Sequence, residues 1–457
     1  MQLKLSTLLM WLALATSPTH AAEIDFTRYL ADYASAGGTP ASHDGSFFGV
    51  AGEARLIITN GGPAVAVTIR LNGEAVVALQ PMNAGARVAV PVMLLADNSI
   101  VAATDGSAAS SITVRVKQTA DVELNVLSRV HFNTNVSNFA VSREFYGNLG
   151  FETLSGFPDT NTLEMARAIG IETPTSYDGS QGEAAGGYLL HGELISVGGF
   201  GGGVIDLIEF TIPRNDEPPY AALNHLGMAR AAMYTTDIDA DYASMKERGV
   251  RFIAPPATRS NGIRFTIFTD PDGTYYELIE VDGEAEVSDT THIVGLGHLN
   301  VNVSDFERSA AWYRMFGYQV TETLPPTDSL EVSRAMGFDA RYEINGAILT
   351  HDMDESTLEL VQWIVPHDPE PAYAVPVNHL GIHRTALLTS DIEADVAALE
   401  AQGVEFISEI TPCCSGPDSW GKIVAFYDPD GTVVELVEQP FMDTLFRVVR
   451  WFRQLFS

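Results

Sequence analysis

An arginine occupies the same place in two related stretches of the chain, NHLGMARAAMYTTDI at residues 224–238 and NHLGIHRTALLTSDI at residues 378–392. The two arginines are Arg230 and Arg384. A guanidinium group stays protonated and cannot ligate a metal ion, but its planar fork pairs with carboxylates and phosphates. The repeat therefore predicts two equivalent sites whose chemistry is ion pairing or anion binding.

A second shared motif follows each arginine stretch, with DPDG placed before a strand-like run that carries a glutamate. The runs are FTDPDGTYYELIEV and FYDPDGTVVELVEQ, and the glutamates are Glu277 and Glu435. Residues two apart in a strand share a face. Alternation predicts that Arg230 and Arg384 face the same way as one another and that their neighbours face away, unless a β-bulge brings His383 inward.

Four segments share one scheme, in which an alternating strand leads to a polar cap and a helix that ends at glycine. Asp and Asn accept hydrogen bonds from the free N–H groups of a helix start, and glycine can end a helix in the left-handed conformation. Further strand-like runs follow each helix, which predicts four βαβββ modules. The caps are Asn138, Asp237, Asp305 and Asp391, and the glycines lie twelve residues later at Gly150, Gly249, Gly317 and Gly403.

The modules are predicted to pair in chain order, the first with the second and the third with the fourth. This gives one domain at residues 125–285 and another at residues 290–440, joined by the short acidic segment GEAEVSDT. Ahead of them, residues 46–118 alternate in the manner of short strands separated by Asn-Gly and Asp-Gly turns. That region resembles a small all-β, immunoglobulin-like sandwich.

The paired βαβββ modules, FYGNLGF after the first helix, and DPDG before a strand with glutamate resemble the vicinal oxygen chelate (VOC) superfamily. This superfamily includes glyoxalase I, extradiol dioxygenases and bleomycin-resistance proteins. The resemblance covers residues 125–440. It implies an α+β fold with two tandem domains, in which paired modules curl into a cup whose wall carries metal ligands.

The resemblance also implies four wall positions in each cup. One lies seven residues before each helix cap, one lies on the last strand of the first module, and one is the glutamate after DPDG. The arginines stand where a second histidine or glutamine ligand would be. The positions are His131, Asp206, Arg230 and Glu277 in the first domain, and His298, Glu359, Arg384 and Glu435 in the second.

Three roles for the arginines remain open. A guanidinium can replace the metal as counter-charge for the carboxylates, or it can bind an anionic substrate group. Alternatively, a divalent ion (Zn, Ni, Mn or Mg) is held by His298, Glu359 and Glu435 in the second domain, and by His131, Asp206 and Glu277 in the first. The missing second histidine disfavours an Fe(II) dioxygenase, and no organic cofactor is evident.

The leading functional prediction is an exported, glyoxalase-like lyase or isomerase that uses a metal on a small oxygenated, anionic molecule. The second domain is expected to be the working site, with Glu359 or Glu435 moving a proton and Arg384 holding an anionic group. Arg230 and Trp420 are further candidate substrate contacts. The alternatives are a metal-free protein that sequesters a small molecule, and an envelope-associated scaffold.

Composition and the chain ends constrain partners and location. The net charge of −33, from 59 acidic and 26 basic residues, disfavours nucleic acid as a partner. Residues 1–21 have the layout of a secretory signal peptide, which predicts a periplasmic or secreted protein.

The tail and the cysteines leave alternatives open. Residues 441–457 form a basic amphipathic pattern, which suits a helix lying in a membrane interface or one docked on its own domain. The two cysteines, Cys413 and Cys414, are neighbours. A bond between them would be strained, so two small loop residues are the simpler interpretation.

Overall fold

The computed structural model describes most of the chain. The predicted signal peptide, apart from its last two residues, and the predicted tail helix at residues 441–457 lie outside the described part. No helix within the described part has the length and apolar character that crossing a membrane requires. The described residues are 20–35, 39–105, 109–156, 161–171, 175–198, 203–283, 291–413 and 418–439.

The N-terminal region consists of eight strands: β1 (His20–Ser35), β2 (Ala41–Phe48), β3 (Gly52–Asn60), β4 (Val65–Leu71), β5 (Glu74–Met82), β6 (Arg87–Leu94), β7 (Asp97–Thr104) and β8 (Ser110–Leu124). They form two four-stranded sheets, β1-β8-β3-β6 and β2-β7-β4-β5. Alternate apolar residues such as Leu56, Ile69 and Val114 are buried in one cluster. The all-β region is confirmed, and its strands extend beyond residues 46–118 at both ends. Its immunoglobulin-like character stays a prediction.

Four modules follow, each with the predicted succession of strand, helix and further strands. The first contains β9 (Val126–Asn135), α1 (Phe139–Asn148), β10 (Glu152–Gly156), α2 (Leu163–Ala168), β11 (Leu189–Ser196) and β12 (Ile205–Ile212). The second contains β13 (Arg230–Thr235), α3 (Ile238–Glu247), β14 (Arg251–Phe252), β15 (Ala257–Thr258), β16 (Arg264–Thr269) and β17 (Tyr275–Glu280). The third contains β18 (Ile293–Asn302), α4 (Phe306–Arg314), β19 (Tyr318–Thr323), α5 (Leu330–Ala335), β20 (Glu343–His351) and β21 (Thr357–Val365). The fourth contains β22 (Gly381–Thr389), α6 (Ile392–Glu400), β23 (Thr411–Pro412), β24 (Lys422–Tyr427) and β25 (Val433–Glu438).

The predicted helix boundaries are confirmed in all four modules. Each cap side chain accepts a hydrogen bond from the backbone N–H three residues later. The terminal glycines adopt positive φ angles, which L side chains rarely take. These are Gly150 at 91°, Gly249 at 87°, Gly317 at 94° and Gly403 at 82°.

The prediction that consecutive modules share a cup is wrong. One mixed sheet runs β10-β11-β12-β9-β22-β25-β24-β23 and joins the first module to the fourth; we call it the outer cup. The other runs β14-β16-β17-β13-β18-β21-β20-β19 and joins the second module to the third; we call it the inner cup. All four modules have the same pattern, so their sequences do not indicate which edges pair.

The N-terminal region shares a core with the modules. Strands β1 and β8 form a long antiparallel ribbon that packs against α4. Its residues Ile24, Phe26 and Leu124 are buried in the same apolar cluster as Trp312 and Leu399 of the module helices. The ribbon therefore fixes the sandwich to the body of the protein.

Cross-repeat pairing predicts the outcome of cutting the chain between its repeats. A protease site placed at residues 284–290 should be cleaved without separating the two fragments, because each cup takes one module from each side of the cut. Size-exclusion chromatography of the cleaved protein, without denaturant, provides the measurement.

The same cleavage followed by unfolding in urea is the control, and it should yield two peaks. Fragments that separate without denaturant would show that each half folds independently and would contradict the observed pairing.

Candidate functional site

The wall of the inner cup carries one charged or ionisable residue from each of four neighbouring strands. Arg230 begins β13, Glu277 lies in β17, His298 in β18 and Glu359 in β21. All four are buried, with exposed fractions of 5% or less. Charged side chains at this depth are tolerated only when they are paired.

The guanidinium of Arg230 joins the two carboxylates. Its Nε donates to Glu277 Oε2 at 3.2 Å, and its Nη2 donates to Glu359 Oε2. Nε2 of His298 lies 3.6 Å from each of the same two oxygens. Arg230 therefore lies among the groups that would otherwise be free to surround a cation.

A second arginine completes the network. Nη2 of Arg259 donates to Glu277 Oε1 at 2.6 Å, and its guanidinium lies 4.2 Å from the centre of the Phe265 ring. Nδ2 of Asn300 donates to Glu359 Oε2 at 3.1 Å. The positive charges of two guanidinium groups thus balance the negative charges of two carboxylates.

The pKa of Glu277 shows how strongly this network favours the charged form. Burial by itself raises the pKa of the carboxyl group, but Arg259, the nearby imidazole of His298 and Arg230 together hold the pKa well below its ordinary value. Glu277 is therefore a carboxylate throughout the neutral range.

Glu277, His298 and Glu359 could hold a metal ion, because one ligand atom from each lies within 4.8 Å of the others. Imidazole and carboxylate are suitable donors for a divalent cation. However, Arg230 contacts the same Oε2 atoms of both carboxylates. With that guanidinium in place, the site does not fit a resident metal in space or in charge.

A cavity of about 340 Å³ opens onto this network. Arg230, Arg259, His298 and Glu359 all line it. The apolar and aromatic part of the lining includes Tyr234, Ile279, Leu324, Met336, Tyr342 and Trp363. Four further acidic residues, Glu280, Asp282, Glu322 and Asp328, also line the cavity. This is a volume typical of a small-molecule site, with convergent polar groups at one end.

The outer cup has the matching residues but a different balance of charge. Nη2 of Arg384 donates to Asp206 Oδ2 at 3.3 Å, and its Nε lies 2.8 Å from Glu435 Oε1. Nδ1 of His131 is 3.9 Å from Asp206 Oδ2. One guanidinium here faces two buried carboxyl groups.

This imbalance is reflected in the pKa values of the outer cup. Burial raises the pKa of Asp206 to about 7, with Arg384 opposing the shift and Glu435 adding to it. Burial also raises the pKa of Glu435, against Arg384. The pKa of His131 is lowered to about 3 by burial and by Arg384, so this imidazole is neutral.

The structure regroups the residues that the sequence singled out. His131 and Asp206 face Arg384 and Glu435, whereas Arg230 and Glu277 face His298 and Glu359. The predicted ligand sets His298–Glu359–Glu435 and His131–Asp206–Glu277 are therefore wrong as groups. Each set combines residues from two cups, because the modules were assigned to the wrong partners.

Two other residues that the sequence singled out, His383 and Trp420, belong to the fourth module. His383 is turned away from the carboxylates, with its Nε2 3.3 Å from the carbonyl oxygen of Ala374. The irregular pairing of β22 with β9 at this point does not bring it into the cup. Trp420 is 84% exposed and is not part of the inner-cup lining.

Arg259 was missed by the sequence analysis. The strand register makes it equivalent to Cys413 of the fourth module, since Ala257 pairs with Phe265 as Thr411 pairs with Ile423. Aligning FIAPPATRS with FISEITPCC would have revealed the substitution. Cys413 is buried and disulfide-bonded, while Cys414 lies outside the described residues.

Comparison with known proteins gives a clear match in sequence. The model of the Glyoxalase/Bleomycin resistance protein/Dioxygenase superfamily matches residues 128–278 and 295–436. No curated protein matches the chain.

Solved structures give more distant likenesses. Glyoxalase I from Zea mays is 18% identical, with a TM-score of 0.48 over 70% of this chain and 94% of its own. A glyoxalase family protein from Bacillus cereus is also 18% identical, with a TM-score of 0.29 over 34% of this chain and 98% of its own. These similarities carry no argument about activity.

The raised pKa of Asp206 predicts a pH dependence of stability. Its folded-state pKa of about 7 lies above the ordinary value for an aspartate, so the folded protein binds more protons than the unfolded chain below that pH. The free energy of unfolding should therefore fall as pH rises towards 7, by about 2 kcal/mol from pH 5 to pH 7 for this group, and change little above.

Urea unfolding at pH 5, 6, 7 and 8 would measure this, with Asp206→Asn as the comparison. The variant lacks the titrating group, so its stability relative to wild type should increase with pH. A difference between the two proteins that is constant from pH 5 to pH 8 would contradict the assignment.

Proposed function

Because the chain belongs to the Glyoxalase/Bleomycin resistance protein/Dioxygenase superfamily, we propose that its inner cup binds a small oxygenated anion without a metal ion. The observation that carries this proposal is the contact of Arg230 with both Glu277 and Glu359. The guanidinium provides the positive charge that a cation would supply to these carboxylates. Arg230 thus replaces a metal ligand and the metal together.

The polar end of the cavity supports an anionic ligand. Nη1 of Arg230 and Nε2 of His298 are buried, and neither has a hydrogen-bond partner among the described residues. His298 donates from Nε2 in the tautomer that carries its proton there. An oxyanion would accept hydrogen bonds from both groups and remove the cost of leaving them unpaired.

The walls of the cavity support a ligand with an apolar body. Tyr342 and Trp363 form an edge contact, with ring centres 5.5 Å apart, and both line the cavity. Nε1 of Trp363 is committed to Asn302 Oδ1 at 2.9 Å, which leaves its ring surface for packing. The proposed ligand is therefore a small carboxylate with an apolar or aromatic portion.

A second candidate function is a metal-assisted lyase or isomerase, and the donor set Glu277, His298 and Glu359 favours it. A divalent ion held by these residues would act as a Lewis acid on neighbouring oxygens of a substrate. Arg230 would have to withdraw from both carboxylates for the ion to enter.

The location proposed for this activity is outside the cytoplasm. The proposal is supported by the charged, apolar and small-residue order of residues 1–21. The basic amphipathic segment at 441–457 is proposed to hold the protein at a membrane surface.

Metal content separates the two candidate functions. Purified wild-type protein, incubated with Mn, Ni or Zn and desalted, should contain far less than one ion per chain by mass spectrometry. Arg230→His should bind about one ion, because it removes the guanidinium and adds a fourth donor beside Glu277, His298 and Glu359.

The control is Arg230→Gln, which removes the charge but adds a poorer donor, and it should bind metal more weakly than the histidine variant. Near-stoichiometric metal in the wild type, lost in Glu359→Gln, would overturn the metal-free proposal and establish the second candidate.

Ligand binding tests the proposal directly. Benzoate should raise the melting temperature of the wild type saturably, and Arg230→Lys should weaken binding at least tenfold, because lysine lacks the planar fork. The matched control is Arg384→Lys at the same strand position of the outer cup, and its affinity should be unchanged. Equal loss in both variants would contradict an inner-cup site.

A further inference from the structure

A second cavity lies where the N-terminal ribbon meets the helices of the third and fourth modules. Its volume is about 360 Å³, and we call it the junction cavity. It is separate from both cups. It is lined by Phe26, Thr27, Arg28, Phe48, Arg308, Trp312, Met315, Gln402, Gly403, Val404, Glu405, Tyr427, Asp428 and Pro429.

Arg28 is directed to this cavity by an irregularity in β1. Thr27 pairs with Lys117 and Tyr29 with Val116, so Arg28 is an extra residue with no partner in β8. A β-bulge of this kind reorients the side chain of the inserted residue. The irregularity allows Thr27 and Arg28, although adjacent in sequence, to line the same cavity.

The partners of Arg28 are all neutral. Nε donates to Gln118 Oε1 at 3.1 Å, Nη1 to the carbonyl oxygen of Gln402 at 3.0 Å and Nη2 to Gln402 Oε1 at 2.6 Å. No carboxylate in the described part of the chain forms an ion pair with it. Burial lowers the pKa of Arg28 to about 10, in keeping with its lack of a carboxylate partner among the described residues. This is unexpected in a chain with 59 acidic residues.

Two residues that line the same cavity carry buried polar atoms without partners. Nε of Arg308 and Oγ1 of Thr27 are buried without hydrogen-bond partners among the described residues. Nη2 of Arg308 is held by Asp430 Oδ1 at 2.6 Å and by Ser304 Oγ at 2.8 Å. That anchoring fixes the guanidinium while its Nε remains unpaired.

Two acidic residues also line the junction cavity. Asp428 is occupied elsewhere, because its Oδ1 accepts from the backbone N–H groups of Asp430 and Thr432 and its Oδ2 from the hydroxyl of Tyr313. Glu405 is exposed to solvent. Neither carboxylate pairs with Arg28.

We propose that the junction cavity binds a small oxyanion, the carboxylate or phosphate group of a free small molecule. Arg28 and Arg308 would supply the charge, and Thr27 would donate its hydroxyl. Trp312 would contact an apolar portion of the ligand, since the Arg28 guanidinium already lies over the Phe26 ring, 4.3 Å from its centre. An oxyanion would pair the buried groups that the protein itself leaves unpaired.

This site has a structural consequence. Arg28 belongs to the N-terminal ribbon, whereas Gln402 follows the helix of the fourth module. A ligand held by Arg28 of the ribbon and Arg308 of the third module would add a further link between the sandwich and the modules and stabilise the whole chain by mass action.

The test is the melting temperature of the full mature protein carrying Arg230→Lys, which weakens the response expected from the inner cup. This protein is titrated with inorganic phosphate or with benzoate at constant ionic strength set by sodium chloride. At least one anion should raise the melting temperature saturably. Arg28→Met should weaken that anion at least tenfold, whereas Arg55→Met, at an exposed ion pair on the same sheet, should not. With arginine restored at position 230, a benzoate response that Arg28→Met leaves intact belongs to the inner cup, so the two proposals are tested separately.

A second variant tests the same site in case Arg28→Met does not fold. Thr27→Glu places a carboxylate beside Arg28, so the protein should be at least as stable as wild type without added anion and should lose the response. A response to phosphate alone or to benzoate alone identifies the ligand class. No saturable response to either anion, or an undiminished one in Arg28→Met and Thr27→Glu, would overturn the proposal.

Discussion

The ion pairs of Arg230 with Glu277 and Glu359 are the constraint on which the inner cup depends. They join strands β13, β17 and β21, and they link the two halves of the chain, since Glu359 belongs to the second repeat. Removing one partner of such a buried pair typically costs about 3–5 kcal/mol, because the other charge remains buried. The network therefore joins the strands of the inner cup and sets the charge at the polar end of its cavity.

The two cups show how one scaffold diverges through few substitutions. In the inner cup Arg259 pairs with Glu277, whereas the equivalent place in the outer cup is Cys413, which cannot supply a charge. The inner network is therefore balanced, and the outer one is left with a carboxyl group whose pKa lies near neutrality. A single position accounts for much of the electrostatic difference between the cups.

The sequence was sufficient for local structure and for the identity of the wall residues. The caps at Asn138 and Asp391 and the glycines that end the helices depend on nearest neighbours, so their pattern predicts them reliably. The partnership of modules depends on contacts between β9 and β22, more than two hundred residues apart, and all four modules offer similar edges. The ion pair of Arg259 with Glu277 and the neutral hydrogen-bond partners of Arg28 likewise depend on contacts that form only in the folded protein.

The antiparallel strand pairs that join the two halves of the chain also affect how the protein folds. Ala386 of β22 in the fourth module pairs with His131 of β9 in the first, so the outer sheet needs both ends of the modular region. Such long-range pairing raises the contact order and slows folding, because a large loop must close before the contacts form. Until then the first module exposes an unpaired β9 edge. A chain synthesised from its N-terminus would pass through a long aggregation-prone interval, which favours chaperone protection until synthesis is complete.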